Sequence, residues 1–247
     1  MGQVIVVGSV NTDYSVRISH LPRPGETVTG GRLEILPGGK GANQAHAAAR
    51  LGAAITLIAA VGTDAAGDSA RRDLAGAGID ITALMRSSAP SGFAMILVDS
   101  AGENMIAVAP GANEQLSAAA VRERLATRLT AGTVVLASLE VPLAAVAAAA
   151  GAAADAGASM VINPAPGQVL PAAMLRGAIV TPNEGEIDPA RRPAGHGRRS
   201  DRQRSRRHGS RQRRNRRRGS RRRGSHRGGS GGRGSGGRGS GGDEHAG

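Results

Sequence analysis

Gly38-Gly39-Lys40-Gly41-Ala42-Asn43-Gln44-Ala45 sets three glycines and a lysine directly ahead of an alanine-rich stretch. Two phosphate-binding explanations fail on spacing. A P-loop requires G-x-x-x-x-G-K-[ST], and here Lys40 is followed by Gly41, which has no hydroxyl for a magnesium ion. A dinucleotide fingerprint, G-x-G-x-x-G, fails because Gln44 stands where its third glycine belongs. What remains is a glycine turn feeding a helix that begins near Ala42. Such a start presents free backbone N–H groups and lets a small polar ligand come close to the chain. An ordinary loop with a helix cap has the same composition, so the motif alone leaves both readings open.

Two carboxylates belong with it. Gly8-Ser9-Val10-Asn11-Thr12-Asp13 follows the first apolar run, and Leu139-Glu140 follows a later one, Thr133–Ala137. The carboxyl ends of strands are where open α/β sheets bind ligands. A carboxylate there accepts hydrogen bonds from two neighbouring hydroxyls at once. Either acid taken singly is also consistent with a helix N-cap.

The elements that must position these groups are legible in the apolar pattern. Gln3–Gly8, Ala54–Val61, Thr133–Ala137, Ser159–Asn163 and Ala178–Thr181 are short β-branched runs without alternation, as in strands buried on both faces. Between them, Ala42–Leu51, Gly67–Ala77, Ala118–Leu129 and Leu143–Ala156 read as helices, which predicts βαβ units and a parallel sheet. Residues 14–36 and 92–108 differ: they hold shorter alternating runs and the chain's two aromatic residues, Tyr14 and Phe93. A turn at Asp99-Ser100-Ala101-Gly102 separates two of these runs, predicting a small antiparallel β-flap on the α/β core.

Charge divides the chain in two. Residues 1–186 carry 12 Lys+Arg and 15 Asp+Glu, a net of −3. Residues 187–247 carry 20 Arg and 4 acids, a net of +16, and Ile187 is their only large aliphatic residue. No core can form from that composition, so a disordered Arg/Gly/Ser tail is expected over 187–247, with 1–186 as the α/β part, an incomplete domain. A polycation of this kind gives nonspecific nucleic-acid affinity, while its lack of aromatics argues against a dedicated RNA-binding segment. Cysteine is absent, which excludes disulfides and thiolate metal sites, and the six histidines show no zinc spacing. The longest apolar stretch, Ala144–Ala156, is nearly all alanine and too weakly apolar for a membrane span. A soluble cytoplasmic protein with no membrane partner is expected.

In one register, these segments resemble the ribokinase-like PfkB carbohydrate kinases. Those carrying the resemblance are Gly8–Asp13, Pro24-Gly25-Glu26-Thr27, Gly38–Gln44, Gly102-Glu103-Asn104, Leu139-Glu140, Asn163-Pro164-Ala165-Pro166 and Thr181-Pro182-Asn183-Glu184. The resemblance covers essentially all of 1–186, and the Gly38–Ala45 segment matches the family's N-terminal signature. It implies a Rossmann-type three-layer α/β core, incomplete here, with a β-flap acting as a lid. It implies ATP-dependent phosphorylation of a sugar, D-ribose being the best match, at its 5-hydroxyl. By the same resemblance, Asn11, Thr12, Asp13, Gly39, Lys40, Gly41, Ala42, Asn43 and Glu140 contact the sugar. Asn183 binds the nucleotide phosphates and Glu186 the Mg²⁺. The β-flap closes over the sugar and joins two subunits into a homodimer.

The chain departs from the family after Glu186. The family's second signature, D-T-x-G-A-G-D, supplies an anion hole of backbone N–H groups and the catalytic base; residues 187–247 contain nothing similar. Arg, Gly, Ser, Ala and Pro are what a GC-rich gene yields when read out of frame, so a frameshift near codon 187 is expected. The resulting expectation is an inactive chain that keeps most sugar contacts. A noncatalytic sugar-binding or regulatory protein, and an RNA-binding protein acting through the tail, are the alternatives.

Overall fold

The computed structural model describes residues 2–191. The expected disordered tail, and the nucleic-acid affinity expected of its charge, fall outside that range from residue 192 onward. Eleven strands appear in the described residues: β1 (Gln3–Val7), β2 (Asn11–Arg17), β3 (Arg32–Gly38), β4 (Ala54–Ile58), β5 (Ala60–Gly62), β6 (Met85–Ser87), β7 (Gly92–Val98), β8 (Asn104–Ala109), β9 (Val134–Ser138), β10 (Ser159–Asn163) and β11 (Ala178–Val180). The helices are α1 (Lys40–Arg50), α2 (Ala65–Gly76), α3 (Ala118–Leu125), α4 (Leu143–Asp155), α5 (Ala172–Leu175) and α6 (Glu184–Arg191). The last of these runs past the boundary expected at residue 186.

The main sheet has five parallel strands in the order β11-β10-β9-β1-β4. Its strands lack polar alternation because each side of the sheet packs against its own apolar cluster. From β1, Ile5 and Val7 join Val135, Leu116, Val121 and the buried alanines of α4 on one side. Val6, between them, joins Leu57, Ala42, Ala45 and Leu74 on the other. Strand alternation therefore distributes one apolar run between two cores, giving the expected three layers. In α4, the small side chains of Ala145, Ala149 and Ala153 are fully buried, and α4 packs closely on α3 and the sheet. Gly151 lies on the exposed side of the same helix, where an added methyl would meet nothing within 4 Å. Gly151→Ala is expected to stabilise the fold by about 0.5–1 kcal/mol, read as a higher midpoint in urea unfolding.

A second sheet, in the order β3-β2-β7-β8, forms the lid. The expected antiparallel pairing holds for β2 with β3 and for β7 with β8, and the Asp99–Gly102 turn closes the latter hairpin. The central pair, β2 with β7, runs parallel, so the lid is a mixed sheet. Sequence gave no sign of this because β2 and β7 lie some 80 positions apart, and their pairing is set by how both leave the core. The first two lid strands extend beyond the expected segment 14–36 at both ends: β2 starts at Asn11 and β3 ends at Gly38. The start of β7 is fixed through Ser91, whose hydroxyl and N–H both donate to Asp64, the N-cap of α2, at 2.6 and 2.8 Å. Among the described residues no helix is long and apolar enough to cross a membrane.

Candidate functional site

In the main sheet β1 is flanked by β4 on one side and β9 on the other, so the strand order reverses between β1 and β9. Side by side at their carboxyl ends lie Gly8-Ser9 after β1 and Leu139-Glu140 after β9, the crevice where a doubly wound sheet takes its ligand. Both carboxylate-bearing segments thus converge on one place for a topological reason.

The glycine turn enters this crevice from the lid. Gly39 has φ +88°, a left-handed conformation in which a side chain would also strike the backbone of Ser9, Val10 and Asn11. Helix α1 starts one residue later, with no cap from its own side chains. Its cap comes from far along the chain: the Lys40 N–H donates to Glu140 Oε2 at 2.9 Å. The same oxygen accepts from the Ser9 hydroxyl at 2.6 Å, while Ser9 O accepts from the Ala42 N–H at 2.9 Å. The charged carboxylate therefore binds the end of β1 to the positive end of α1 through charge-assisted hydrogen bonds. Lys40 Nζ lies 3.9 Å from Glu140 Oε1.

Asn11 and Asp13 sit at alternate positions of β2 and so share one face of the lid. Glycines in the neighbouring strands leave room for both. A side chain at Gly38 of β3 would overlap the Asp13 carboxylate, and one at Gly92 of β7 would overlap Asn11 Oδ1. Burial raises the pKa of Asp13 above its ordinary value of 3.8; the nearby charge of Glu140 raises it further and Lys40 opposes the rise. Two carboxylates and one ammonium group are thus in mutual electrostatic reach at the joint between lid and core. Such an arrangement has the acceptors to take hydrogen bonds from several adjacent hydroxyls.

The site brings together Asn11, Asp13, Gly39, Lys40, Gly41, Ala42 and Glu140. Gly41 and Ala42 contribute backbone, Gly41 N–H reaching the Ser9 hydroxyl at 3.4 Å. Asn43 is the exposed residue of the otherwise buried or half-buried first turn of α1, its side chain without a hydrogen bond among the described residues. Thr12 faces the other side of β2 and lines a cleft with Ser69, Ala70 and Asp73, to which Asn11 and Ala42 also contribute. Asn183 and Glu186 form a reciprocal capping box at the start of α6. Asn183 N–H and Nδ2 donate to the two Glu186 oxygens at 2.9 Å each, and Glu186 N–H donates to Asn183 Oδ1 at 3.0 Å. The pair is solvent-exposed, and among the described residues no three His, Asp or Glu side chains gather into a metal cluster. Each capped oxygen of Glu186 keeps a lone pair, which fits one carboxylate ligand to a largely hydrated Mg²⁺ and no more.

Two residues of the site carried no distinguishing signal in the sequence. Ser9 lies inside a quoted motif, yet its link to Glu140 spans 131 positions. Asn113, in the 3₁₀ turn Gly111–Gln115, reads as an ordinary turn residue but is buried against Val10 and Asn11.

Comparison with known proteins places the chain among its relatives. The profile of the pfkB family carbohydrate kinases matches residues 1–201. The ribokinase of Haemophilus influenzae is 42% identical over 185 residues, 74% of this chain and 60% of that protein. The ribokinase of Staphylococcus aureus is 36% identical over 189 residues, 75% and 62% of the two chains. Among solved structures, Arabidopsis thaliana ribokinase complexed with ribose and ATP is 29% identical with a TM-score of 0.63, covering 76% of this chain and 62% of that one. The chain thus spans about 60% of the length of these curated relatives. On the matched profile and on these identities, it belongs to the pfkB family of carbohydrate kinases.

Proposed function

We propose that residues 1–186 are the sugar-binding part of an ATP-dependent kinase of D-ribose, whose product is ribose 5-phosphate, and that the 247-residue chain binds the sugar without phosphorylating it. One observation carries the binding half: Asp13 of the lid and Glu140 of the core converge at the switch point, close enough for one charge to shift the other's pKa. Vicinal hydroxyls of a pentose suit such a pair, each carboxylate accepting one or two of them while Lys40 balances the charge. A lid carrying Asp13 and Asn11 can swing onto a sugar held by Glu140 and exclude water from it. The ribokinases that the chain resembles, one of them solved with ribose and ATP, support ribose and ATP as the ligands. Asn183 and Glu186 would hold Mg²⁺ arriving with ATP, which neutralises phosphate charge.

The lid also supports a homodimer. Tyr14, Leu33, Ile35, Phe93, Met95 and Met105 share one face of its sheet and are all exposed, with Tyr14 and Phe93 edge to face at 6.3 Å. A stripe of this size favours burial against a second copy.

Ribose titration followed by calorimetry tests the binding reading, with pH as the variable. Sugar hydroxyls donate to the ionised carboxylate, so affinity is full above the Asp13 pKa and falls as pH drops through it. Because that pKa is raised, the loss begins at higher pH than an ordinary carboxylate near 3.8 would give. The same shift has the opposite sign for the unliganded fold: the folded state holds its proton more tightly than the unfolded one, so stability from this group declines as pH rises through the window. Asp13→Asn is expected to weaken ribose binding by about tenfold or more and to abolish the acid limb. Absence of any ribose-dependent heat from the full chain would refute the proposal.

A further inference from the structure

Asn113 lies 1% exposed beneath the joint between lid and core, and its carboxamide is gripped by the backbone of Val10. Val10 N–H donates to Asn113 Oδ1 at 2.9 Å, and Asn113 Nδ2 donates to Val10 O at 3.2 Å. Because a backbone N–H only donates and a carbonyl only accepts, this pair of contacts fixes which end of the Asn113 amide is oxygen. The nitrogen so fixed has a second hydrogen, and it donates to Asn11 Oδ1 at 2.8 Å. Asn11 is therefore fixed in turn: its oxygen faces Asn113. Gly92 completes the lock, since a side chain there would overlap both Asn11 Oδ1 and Asn113 Nδ2.

The other end of Asn11 is free. Its Nδ2 makes no hydrogen bond among the described residues, and it is not among their buried unpartnered polar atoms, which are Gln44 Oε1 and Ser138 Oγ. We infer that Asn113 is a positioning residue that holds the Asn11 carboxamide with its nitrogen turned to the sugar site, so that Asn11 offers a ligand hydrogen-bond donors only. This rests on the sugar-binding reading and adds a selectivity to it. Asn11 and Asp13 share a face of β2, one a donor and the other an acceptor. A single hydroxyl satisfies both, its oxygen accepting from Asn11 Nδ2 while its hydrogen goes to Asp13. A deoxy sugar satisfies neither. A methyl ether or ketone at that carbon satisfies only Asn11 and leaves a carboxylate unpaired, so the pair selects a free hydroxyl.

Two measurements on the full chain test this. The first needs no ligand: side-chain amide hydrogen exchange by NMR, with the Asn11 signals assigned by their loss in Asn11→Ala. Asn113 Nδ2 hydrogens are expected to exchange about tenfold or more slower than those of Asn11. Equal protection of both amides would overturn the inference. The second is a double-mutant cycle read by ribose affinity. Asn113→Asp keeps the oxygen for Val10 N–H but replaces the donor facing Asn11 with an acceptor, so the Asn11 amide turns over and presents oxygen to the sugar. Affinity is expected to fall about tenfold or more, yet Asn113→Asp in the Asn11→Ala background should change it by less than about twofold. Additive losses would make Asn113 merely structural and would overturn the inference. Should Asn113→Asp fail to fold, the exchange rates of the unmutated chain decide. Should the unmutated chain take up no ribose, the sugar reading fails while those rates still judge Asn113.

Discussion

A preparation of the 247-residue chain, given ribose, ATP and Mg²⁺, is expected to form ribose 5-phosphate at least about 10⁴-fold more slowly than the 1–100 s⁻¹ typical of kinases. Phosphoryl transfer needs a base to take the hydroxyl proton and donors aimed at the charge that builds on the transferring group. Losing a positioned base costs about 10²–10⁴ in rate. Losing an anion hole costs about 10²–10³ more. Residues 187–247 contain no D-T-x-G-A-G-D to supply either. The acids that remain at the site are otherwise committed. Glu140 caps α1 and holds Ser9, and Asp13 stands on β2 of the lid, where the proposed reading has it accept sugar hydroxyls. Product formation followed by a coupled assay for ADP and by ³¹P NMR checks the expectation, and turnover above about 10⁻² s⁻¹ would contradict it. Binding and turnover should therefore separate: calorimetry registers ribose while the coupled assay stays at background. A chain carrying a D-T-x-G-A-G-D segment and its surrounding fold after residue 186 should show turnover with the same ribose affinity.

Local signals were enough for the parts of the molecule whose structure is decided locally. Gln3–Gly8 shows no alternation because Val6 and its neighbours Ile5 and Val7 serve different cores, and that absence is visible in six residues. The glycine turn was legible for a similar reason: only glycine fits φ +88° at position 39 against the Ser9–Asn11 backbone. Glu140 and Asp13 could be assigned to one edge, though not to two different sheets. That required knowing that Asn11 already belongs to a lid strand, and the parallel β2–β7 pairing that makes it so has no local cause. Asn113 is the clearest case of what spacing hides. Its type suits a turn, its position follows Pro110-Gly111-Ala112, and nothing nearby reveals that its partners are Val10 and Asn11, about a hundred residues away. Asn183 and Glu186 show the converse. Their spacing matches both a capping box and the family's phosphate-side motif, and the structure shows the cap in full.

The largest single-residue effect is expected at Gly41, where the start of α1 crosses the end of β1. A methyl on Gly41 would lie 2.6 Å from Gly8 C and from Ser9 N, and one on Gly8 would lie 2.7 Å from Gly41 Cα. These are backbone atoms on both sides, so no rotamer change relieves the overlap; one element must move. Moving α1 away separates Lys40 N–H from Glu140, Ala42 N–H from Ser9 O and Gly41 N–H from the Ser9 hydroxyl, all in one step. Burial then makes each lost partner costly, because Ser9 is fully enclosed and Glu140 keeps only the Ser9 hydroxyl of its two donors. Gly41→Ala and Gly8→Ala are each expected to destabilise the fold by about 2–4 kcal/mol in urea unfolding. Ribose affinity should fall about 100-fold or more, since the donor and acceptor groups are displaced by more than hydrogen-bond tolerance. Gly151→Ala serves as the control, placing the same methyl in open space on α4. If Gly41→Ala kept wild-type ribose affinity, the glycine turn could not be part of the sugar site, and the convergence of Asp13 and Glu140 upon it would have to serve another ligand.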